Sequence, residues 1–357
     1  MAAVQTASRL GAYLLPGRAS DPRLAVTQAV AGEAAGLGAV WLSERLGTKD
    51  LGTIGGALSQ ATTRVRIGAA ATHVQTRHPM ALASLALTLQ ALSDERFLLG
   101  IGRAVPRKWT AMGLPPASNT VLVDAVQILR RLWAGEEVSY DGPLGTFPAL
   151  QLGDRPDVVA PPVLLTAIGP RALALAGQHF DGVLLHPFLT PEGQRRSAAA
   201  VREAALAAGR DPESILAVGT VVVAADLSAD EVAVKVRGRL VTYLDAPLLG
   251  SSLVKANGWD QGVLDRLAAH PLIKALDGRT ADGSLSPEQL VEVSEVIPED
   301  WFSSGAAVGS VADCASRLRH YLDAGVEEMI IHGSTPDLLA PTIAAFAASE
   351  PPARPLA

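Results

Sequence analysis

One stretch of the sequence combines a short apolar run, a turn of small residues and the start of a helix. It covers residues 164–187 and reads LLTAIGPRALALAGQHFDGVLLHP. In the turn, residues 166–169 precede Pro170, whose ring sets φ for a first helical residue and whose missing N–H would be unpaired there anyway. Unpaired N–H groups at a helix start, together with the helix dipole, attract anions. The stretch predicts either a phosphate-binding site or a simple strand-to-helix connection.

Further polar side chains directly follow the short apolar runs that the sequence predicts as strands. If those strands are parallel and close into a barrel, their carboxyl ends meet at one face, where barrel enzymes have their active sites. We therefore expect the side chains of that face to form one site. The candidates are Ser43, Glu44, Arg45, Thr72, His73, Arg77, His78, Gly102, Arg103, His186 and His332.

The spacing of these residues argues against three common kinds of site. The histidines are isolated along the chain, and the single cysteine, Cys314, rules out a cysteine cluster, so we predict no metal site. The run 100–102, Gly-Ile-Gly, lacks the third glycine of a dinucleotide loop and is better explained by close packing. No GxSxG nucleophile motif is present. Arg77 and His78 either begin the helix at Pro79 or face an acidic ligand.

Eight apolar runs alternate with helical segments along the chain. Runs this short and this apolar are typical of parallel strands that are buried on both faces. Eight strand–helix units predict an α/β fold of the (β/α)8 TIM-barrel class. The predicted strands span residues 11–15, 39–42, 65–70, 97–101, 163–165, 183–185, 214–224 and 328–331.

Two insertions and a tail are predicted around this barrel. An alternating pattern with Asp141-Gly142 predicts a hairpin at about 136–152. Residues 249–310 lack clear periodicity, and we expect short helices there that cover the mouth like a lid. Asn119 is the expected cap of a helix over 121–133. The prediction is one domain, residues 1–350, followed by a flexible tail at 351–357.

The overall composition fits a globular protein without nucleic acid or membrane partners. Hydrophobic residues make up 48% and charged residues 18% of the 357 residues, which permits a large core. The net charge of −6 gives no basic surface for nucleic acid. Residues 1–10 lack a signal-peptide pattern, and no apolar run approaches the ~18 residues of a membrane span. We expect a soluble, cytoplasmic protein.

Six stretches of the chain together form a family pattern: GLGAVWLSER at 36–45, IGAAATHVQTRHP at 67–79, RFLLGIG at 96–102, TAIGPRALALAG at 166–177, IPEDWFSSGAAVGS at 297–310 and LDAGVEEMIIHG at 322–333. They resemble the bacterial luciferase-like superfamily, and within it the branch of coenzyme F420-dependent oxidoreductases that are similar to methylenetetrahydromethanopterin reductase. The family usually shows Asp-His where this chain has Glu44-Arg45.

This resemblance implies roles for particular residues. The segment Ala70, Ala71 and Thr72 matches the family's non-prolyl cis peptide and bulge behind the deazaflavin ring. The turn after the fifth strand binds the coenzyme phosphate, and His186 lies near the same tail. The cofactor-binding residues that follow from it are Ala70, Ala71, Thr72, Gly102, Thr166, Ala167, Ile168, Gly169 and His186.

The resemblance also implies the reaction. We expect hydride transfer between coenzyme F420 and a small organic substrate, in a homodimer, with Glu44, Arg45 and His73 as the catalytic residues. Arg45 replaces the usual histidine and cannot act as a general acid near neutral pH, so Thr72 and His73 become the expected donors. Two alternatives are an FMN-dependent monooxygenase and a barrel that binds a flavin or deazaflavin without catalysis.

Overall fold

A closed barrel of eight parallel strands forms the centre of the molecule. A computed structural model describes residues 7–16, 19–45, 48–103 and 106–349. The strands are β1 (Ala7–Tyr13), β2 (Leu37–Leu42), β3 (Arg66–Ala69), β4 (Phe97–Ile101), β5 (Val138–Gly142), β6 (Gly145–Leu150), β7 (Val163–Ala167), β8 (Gly182–Leu185), β9 (Leu216–Ala225), β10 (Ala306–Gly309) and β11 (Glu328–His332).

The eight barrel strands pair in the circular order β1, β2, β3, β4, β7, β8, β9 and β11, and β11 pairs again with β1. All of these pairings are parallel, as expected for strands joined by helical crossovers. Most residues of β2, β4, β7 and β8 are buried on both faces, because helices cover the outside of the barrel. The predicted (β/α)8 TIM barrel is confirmed.

Helices surround the barrel and also form the insertions. They are α1 (Leu24–Ala34), α2 (Leu51–Ala61), α3 (Pro79–Leu92), α4 (Pro106–Ala111), α5 (Asn119–Trp133), α6 (Pro170–His179), α7 (Pro191–Ala207), α8 (Ala229–Val232), α9 (Arg239–Leu244), α10 (Pro247–Asn257), α11 (Gly262–Ala269), α12 (Pro271–Lys274), α13 (Pro287–Ser294), α14 (Glu299–Gly305), α15 (Val311–Asp323) and α16 (Pro336–Ala348). A π-helical turn, Ala233–Gly238, joins α8 to α9, and 3₁₀ turns occupy Val74–Thr76 and Pro212–Ser214.

A tryptophan fills the interior of the barrel. The fully buried Trp41 side chain packs with inward-facing residues of neighbouring strands, including Leu98 and Ile330. Two glycines make room for its ring: a Cβ on Gly68 would lie 2.1 Å from it and a Cβ on Gly11 2.7 Å. Because the interior is closed by packed side chains, a ligand can be accommodated only above this layer, at the carboxyl ends of the strands.

The excursion after the seventh barrel strand differs from its predicted form. Its last segment is a strand, not a short helix. This strand, β10, pairs in parallel with the final four residues of β9, of which the first, Val222, also pairs with β11 in the barrel. β10 has only four residues between Gly305 and Ser310, too few to show a period-2 pattern in the sequence.

Several local predictions can also be compared with the structure. The hairpin is confirmed as the antiparallel pair β5–β6, but its two-residue turn is Pro143-Leu144 and not Asp141-Gly142. The expected cap Asn119 is wrong, because Ser118 caps α5 by accepting from the Val121 amide. Asn119 is instead the first helical residue. The tail 351–357 lies outside the described residues.

Candidate active site

The carboxyl end of β3 has an irregular backbone that faces the mouth of the barrel. The peptide bond between Ala70 and Ala71 is cis, which confirms the expectation drawn from the family resemblance. Between the pairs Gly68–Leu98 and Thr72–Ile101, the β3 chain advances four residues while β4 advances three. This mismatch of one residue is a β-bulge, which re-aims the backbone at the barrel rim.

Hydrogen bonds with β2 and β1 fix this bulge. At the end of β2, the Ala70 amide donates to the Leu42 carbonyl at 2.7 Å, and the Glu44 amide donates to the Ala71 carbonyl at 3.2 Å. At the end of β1, the Tyr13 hydroxyl donates to the Ala70 carbonyl at 3.0 Å. Burial keeps the pKa of Tyr13 above its usual value, so the phenol stays protonated and remains a donor. The bulge is therefore held rigidly without a ligand.

Small side chains line the bulge where it meets β4 and β7. Ala71 is partly exposed to the mouth, and Gly102 follows β4 beside it. A Cβ added to Gly102 would lie 2.8 Å from Thr166 Oγ1 and 3.1 Å from Ala71 Cβ. The Thr166 hydroxyl donates to the Ile101 carbonyl at 3.4 Å. We call Ala71 and Gly102 the flat surface, because neither has a side-chain atom beyond Cβ that would keep a planar group away.

Glu44 is held inside the protein by its neighbours. Its side chain is 1% exposed, and Oε1 lies 2.5 Å from Nη2 of Arg77. Its other oxygen accepts from the Thr72 hydroxyl at 2.5 Å and from Arg77 Nη1 at 2.6 Å. The carboxylate in turn raises the pKa of Arg77 by hydrogen bonding. Arg77 also contacts Asp50 at 2.9 Å, so it pairs with acids of the protein itself.

The other two expected catalytic residues have partners of their own. His73 is buried, its Nδ1 lies 2.9 Å from the Gly102 carbonyl, and its ring packs edge-on against Trp109 with 4.8 Å between centroids. Arg45 pairs with Asp282 of the excursion at 3.1 Å. His78, the other candidate near Arg77, caps α3 by accepting from the Met80 amide. The structure therefore brings Glu44, Thr72 and Arg77 together, whereas Arg45 faces another part of the mouth.

The start of α6 lacks a side-chain cap, as the sequence predicts for an anion site. Gly169 occupies the N-cap position and makes no side-chain cap hydrogen bond. Among the described residues, a Cβ built on it comes within 4 Å of one atom, the Ser252 hydroxyl oxygen of α10, at 3.6 Å. The helix mouth is therefore open in front of Gly169 and flanked by the excursion. Pro170 has no N–H and the Ala172 amide donates to the Gly169 carbonyl at 3.0 Å, so an incoming anion would meet the Arg171 amide and the positive end of the helix dipole.

His186, at the end of β8, is neutral and packed. Its Nδ1 donates to the Pro187 carbonyl at 2.6 Å, and its ring meets the Tyr243 ring edge-on at 4.7 Å. Burial lowers the pKa of His186 to about 4. At neutral pH its ring contributes shape and a hydrogen-bonding nitrogen but no charge.

Three cations lie on the side of the barrel mouth opposite the start of α6. Sequence analysis did not predict that they come together. Arg45 and Lys49 form a β-bridge in the loop after β2, and Arg239 is the first residue of α9. We call Arg45, Lys49 and Arg239 the cationic cluster. Lys49 is 7% exposed and donates to the Leu15 carbonyl at 2.8 Å. Burial first, and then the charges of the two arginines, lower its pKa to about 8.

His332, at the end of β11, lies within the field of this cluster. It is 9% exposed, and its ring packs against Tyr13 with 4.9 Å between centroids. Burial first, and then the charges of all three members of the cationic cluster, lower its pKa to about 3. Within the described part of the chain, its Nδ1 has no hydrogen-bond partner. A buried nitrogen without a partner points to a group that the protein alone does not supply.

Metal and membrane sites were also sought in the structure. Over residues 7–16, 19–45, 48–103 and 106–349, no three His, Cys, Asp or Glu side chains come together as ligands for a metal ion. In the same ranges, no helix has the length and apolar character needed to cross a membrane.

Comparison with known proteins identifies the family. The sequence profile of the family described as luciferase-like monooxygenase matches residues 3–328, most of the chain. The chain belongs to the luciferase-like monooxygenase family.

Several proteins to which the chain is similar are named for coenzyme F420. The chain is 26% identical to 5,10-methylenetetrahydromethanopterin reductase of Methanolobus tindarius over 317 residues, 87% of this chain and 90% of that one. It is 32% identical to F420-dependent glucose-6-phosphate dehydrogenase of Microbacterium testaceum over 142 residues, 38% of this chain and 42% of that one. The fold matches the coenzyme F420-dependent tetrahydromethanopterin reductase of Methanopyrus kandleri with a TM-score of 0.73 at 19% identity, covering 96% and 97% of the two chains.

The residues of this luciferase-like barrel fit a planar coenzyme with an anionic tail. The test is steric: a flat surface of Ala71 and Gly102 is available, and a Cβ on Gly102 would fill the space beside it. The open, uncapped start of α6 follows β7, a direct neighbour of β4 in the barrel. A ring on the flat surface and an anion at α6 would therefore be adjacent.

Proposed function

We propose that this protein is a coenzyme F420-dependent oxidoreductase that transfers hydride between the deazaflavin and a small organic substrate. The observation that carries the proposal is the flat surface of Ala71 and Gly102 at the ends of β3 and β4. It lies beside the uncapped start of α6 in a chain similar over most of its length to an F420-dependent reductase. The ring is proposed to lie on this surface with its phosphate at the amides around Gly169.

The protein's part in such a reaction is positioning. Bound deazaflavin supplies the hydride-carrying ring carbon. The bulge, held by Tyr13, Leu42 and Glu44, keeps the ring surface fixed, and orientation alone can lower a barrier by several kcal/mol. The excursion from α8 to α14 is proposed to cover the mouth and to exclude water from the reacting groups.

The proposed roles of the expected catalytic residues follow from their contacts. Glu44 acts through Thr72, because its carboxylate is buried in the ion pair with Arg77 and orients the Thr72 hydroxyl. It is therefore proposed as a positioning residue. His73 remains the proposed proton donor, since the Thr72 hydroxyl already donates to Glu44 and an arginine cannot release a proton near neutral pH.

Titration of the purified protein with coenzyme F420, followed by its absorbance and fluorescence, tests the proposal. We expect binding at micromolar concentrations. Absence of binding in both oxidation states would overturn it. Binding of FMN together with NADPH-driven oxygen uptake would instead support the monooxygenase alternative, and F420 binding without hydride exchange with any acceptor would support a non-catalytic barrel.

A variant at the helix start locates the coenzyme tail. Gly169→Asp places a carboxylate at the N-cap of α6, where aspartate is a good cap and competes with an anionic ligand for the same amides. We expect a stable protein with at least roughly tenfold weaker F420 binding. Gly153→Asp is the matched control, because a Cβ there meets nothing within 4 Å. Equal F420 affinity in both variants would show that the tail binds elsewhere.

A further inference from the structure

The cationic cluster gathers positive charge from two separate parts of the chain at one side of the barrel mouth. Arg45 and Lys49 come from the loop after β2, and Arg239 comes from the excursion after β9. His332 lies among them at the end of β11, which neighbours β1 as β2 does. The Lys49 ammonium and the His332 ring both contact the end of β1, at the Leu15 carbonyl and the Tyr13 ring, and the charges of all three cations act on the His332 ring.

Among the residues that the structure describes, much of the hydrogen-bonding capacity of this cluster is unused. Lys49 has three N–H donors, and within those residues its ammonium has one acceptor, the Leu15 carbonyl. Arg239 is half-buried, and among the described residues its side chain makes no hydrogen bond or ion pair. Arg45 is the member that contacts an acid, Asp282.

Such an arrangement is unfavourable without a counter-ion. Like charges in a partly desolvated site repel one another, and the pKa of Lys49 is lowered first by burial and then by the charges of Arg45 and Arg239. The charge-assisted hydrogen bonds that the cluster can offer are stronger than neutral ones and suit carboxylate or phosphate oxygens. The unpartnered Nδ1 of His332 offers one more contact at the same place.

We propose that the cationic cluster, with His332, binds a carboxylate or phosphate group of the small-molecule substrate. Around the barrel, β3 and β4 separate the β2 loop from β7, and β8 and β9 separate β7 from β11. The cluster therefore lies across the mouth from the start of α6. One anion site would hold the tail of the coenzyme and the other the acidic group of the substrate, with the ring surface between them.

The assignment of the bound anion to a substrate rests on the proposed function, but the anion site itself can be tested without it. Inorganic phosphate is titrated by calorimetry into the Gly169→Asp protein, in which the start of α6 is blocked. The His332 ring signal, assigned with His332→Asn, is followed by NMR in the same titration. We expect phosphate binding and a shift of the His332 signal.

Two independent variants connect that binding to the cluster. In the Gly169→Asp background, Arg239→Gln and Lys49→Met should each weaken phosphate binding at least roughly tenfold, the usual size of a lost charge-assisted contact. Arg239→Lys keeps the charge, so its affinity for phosphate should stay within about threefold of that of the Gly169→Asp protein. Arg195→Gln, on the exposed face of α7, is the control for a general change in charge.

The outcomes separate the two proposals. No phosphate binding in the Gly169→Asp protein, or binding that Arg239→Gln and Lys49→Met leave unchanged, would overturn the anion site whether or not F420 binds. Absence of F420 binding to the wild-type protein would overturn the proposed function and leave the phosphate result standing. If saturating F420 abolishes phosphate binding at the cluster, the anion bound there belongs to the coenzyme and not to a substrate.

Discussion

Removing Arg77 should destabilise the protein, because it leaves Glu44 as a buried charge without its cation. The Glu44 side chain is 1% exposed and that of Arg77 14%, so water can replace little of the lost interaction. Breaking a buried ion pair from one side typically costs about 3–5 kcal/mol. Since Arg77 retains some exposure, we expect Arg77→Met to lower the free energy of unfolding by about 3 kcal/mol, near the lower end of this range.

Thermal unfolding followed by circular dichroism measures this cost. For a chain of this size, a loss of 1 kcal/mol lowers Tm by about 2 °C, so a fall of about 6 °C is expected. The double variant Glu44→Gln/Arg77→Met removes the unpaired charge and should recover most of that loss. Arg23→Met is the matched control: its pair with Asp21 is exposed, so its loss should leave Tm nearly unchanged.

Two results would refute this reasoning. If Arg77→Met is no less stable than Arg23→Met, the Glu44 carboxylate is not desolvated as the structure shows. If the double variant is no more stable than Arg77→Met alone, the loss comes from packing of the arginine side chain and not from the unpaired charge.

Three further predictions follow from other parts of the structure. Gly68→Ala should lower Tm strongly, because its Cβ would lie 2.1 Å from the Trp41 ring, whereas Gly56→Ala, with open space around its Cβ, should not; equal Tm values would contradict the packing. Phosphate binding at the cationic cluster should weaken as pH rises through about 8, since Lys49 loses its charge there while both arginines keep theirs; a pH-independent affinity in calorimetry would exclude Lys49 as a ligand. Cys314 is fully buried and its pKa is raised to about 11, so Ellman's reagent at pH 8 should not label the native protein; rapid labelling would show that the α15 face opens.

The barrel could be predicted from the sequence because its strands are specified locally. Each is a short apolar run between helices, and the start of α6 carries its own signal in Gly169-Pro170. β10 could not be predicted, because a four-residue strand at the edge of β9 depends on a pairing partner that is distant in the sequence. Ser118 was missed in favour of Asn119 because both residue types favour the N-cap position.

The candidate site could be predicted only in part. The bulge at Ala70 and Ala71 follows from the family resemblance, but the partners of Glu44 depend on how Arg77 folds back onto it. The cationic cluster was not found, because Lys49 and Arg239 are far apart in the sequence and each is ordinary in its own segment. The sequence does contain one sign of this cluster: Lys49 is a lysine close to the end of a buried strand.

The pair Glu44-Arg45 shows how two substitutions at one strand end can redirect a site. Where the resemblance leads us to expect Asp-His, the longer carboxylate of Glu44 reaches Arg77 and is buried with it. The neighbouring position then holds a permanent charge in place of a titratable ring, and Arg45 joins Lys49 and Arg239 near His332. A histidine at position 45 could move a proton, whereas the arginine carries a permanent charge that can hold an anion. Arg45→His should therefore weaken phosphate binding at neutral pH, and an unchanged affinity would show that Lys49 and Arg239 suffice.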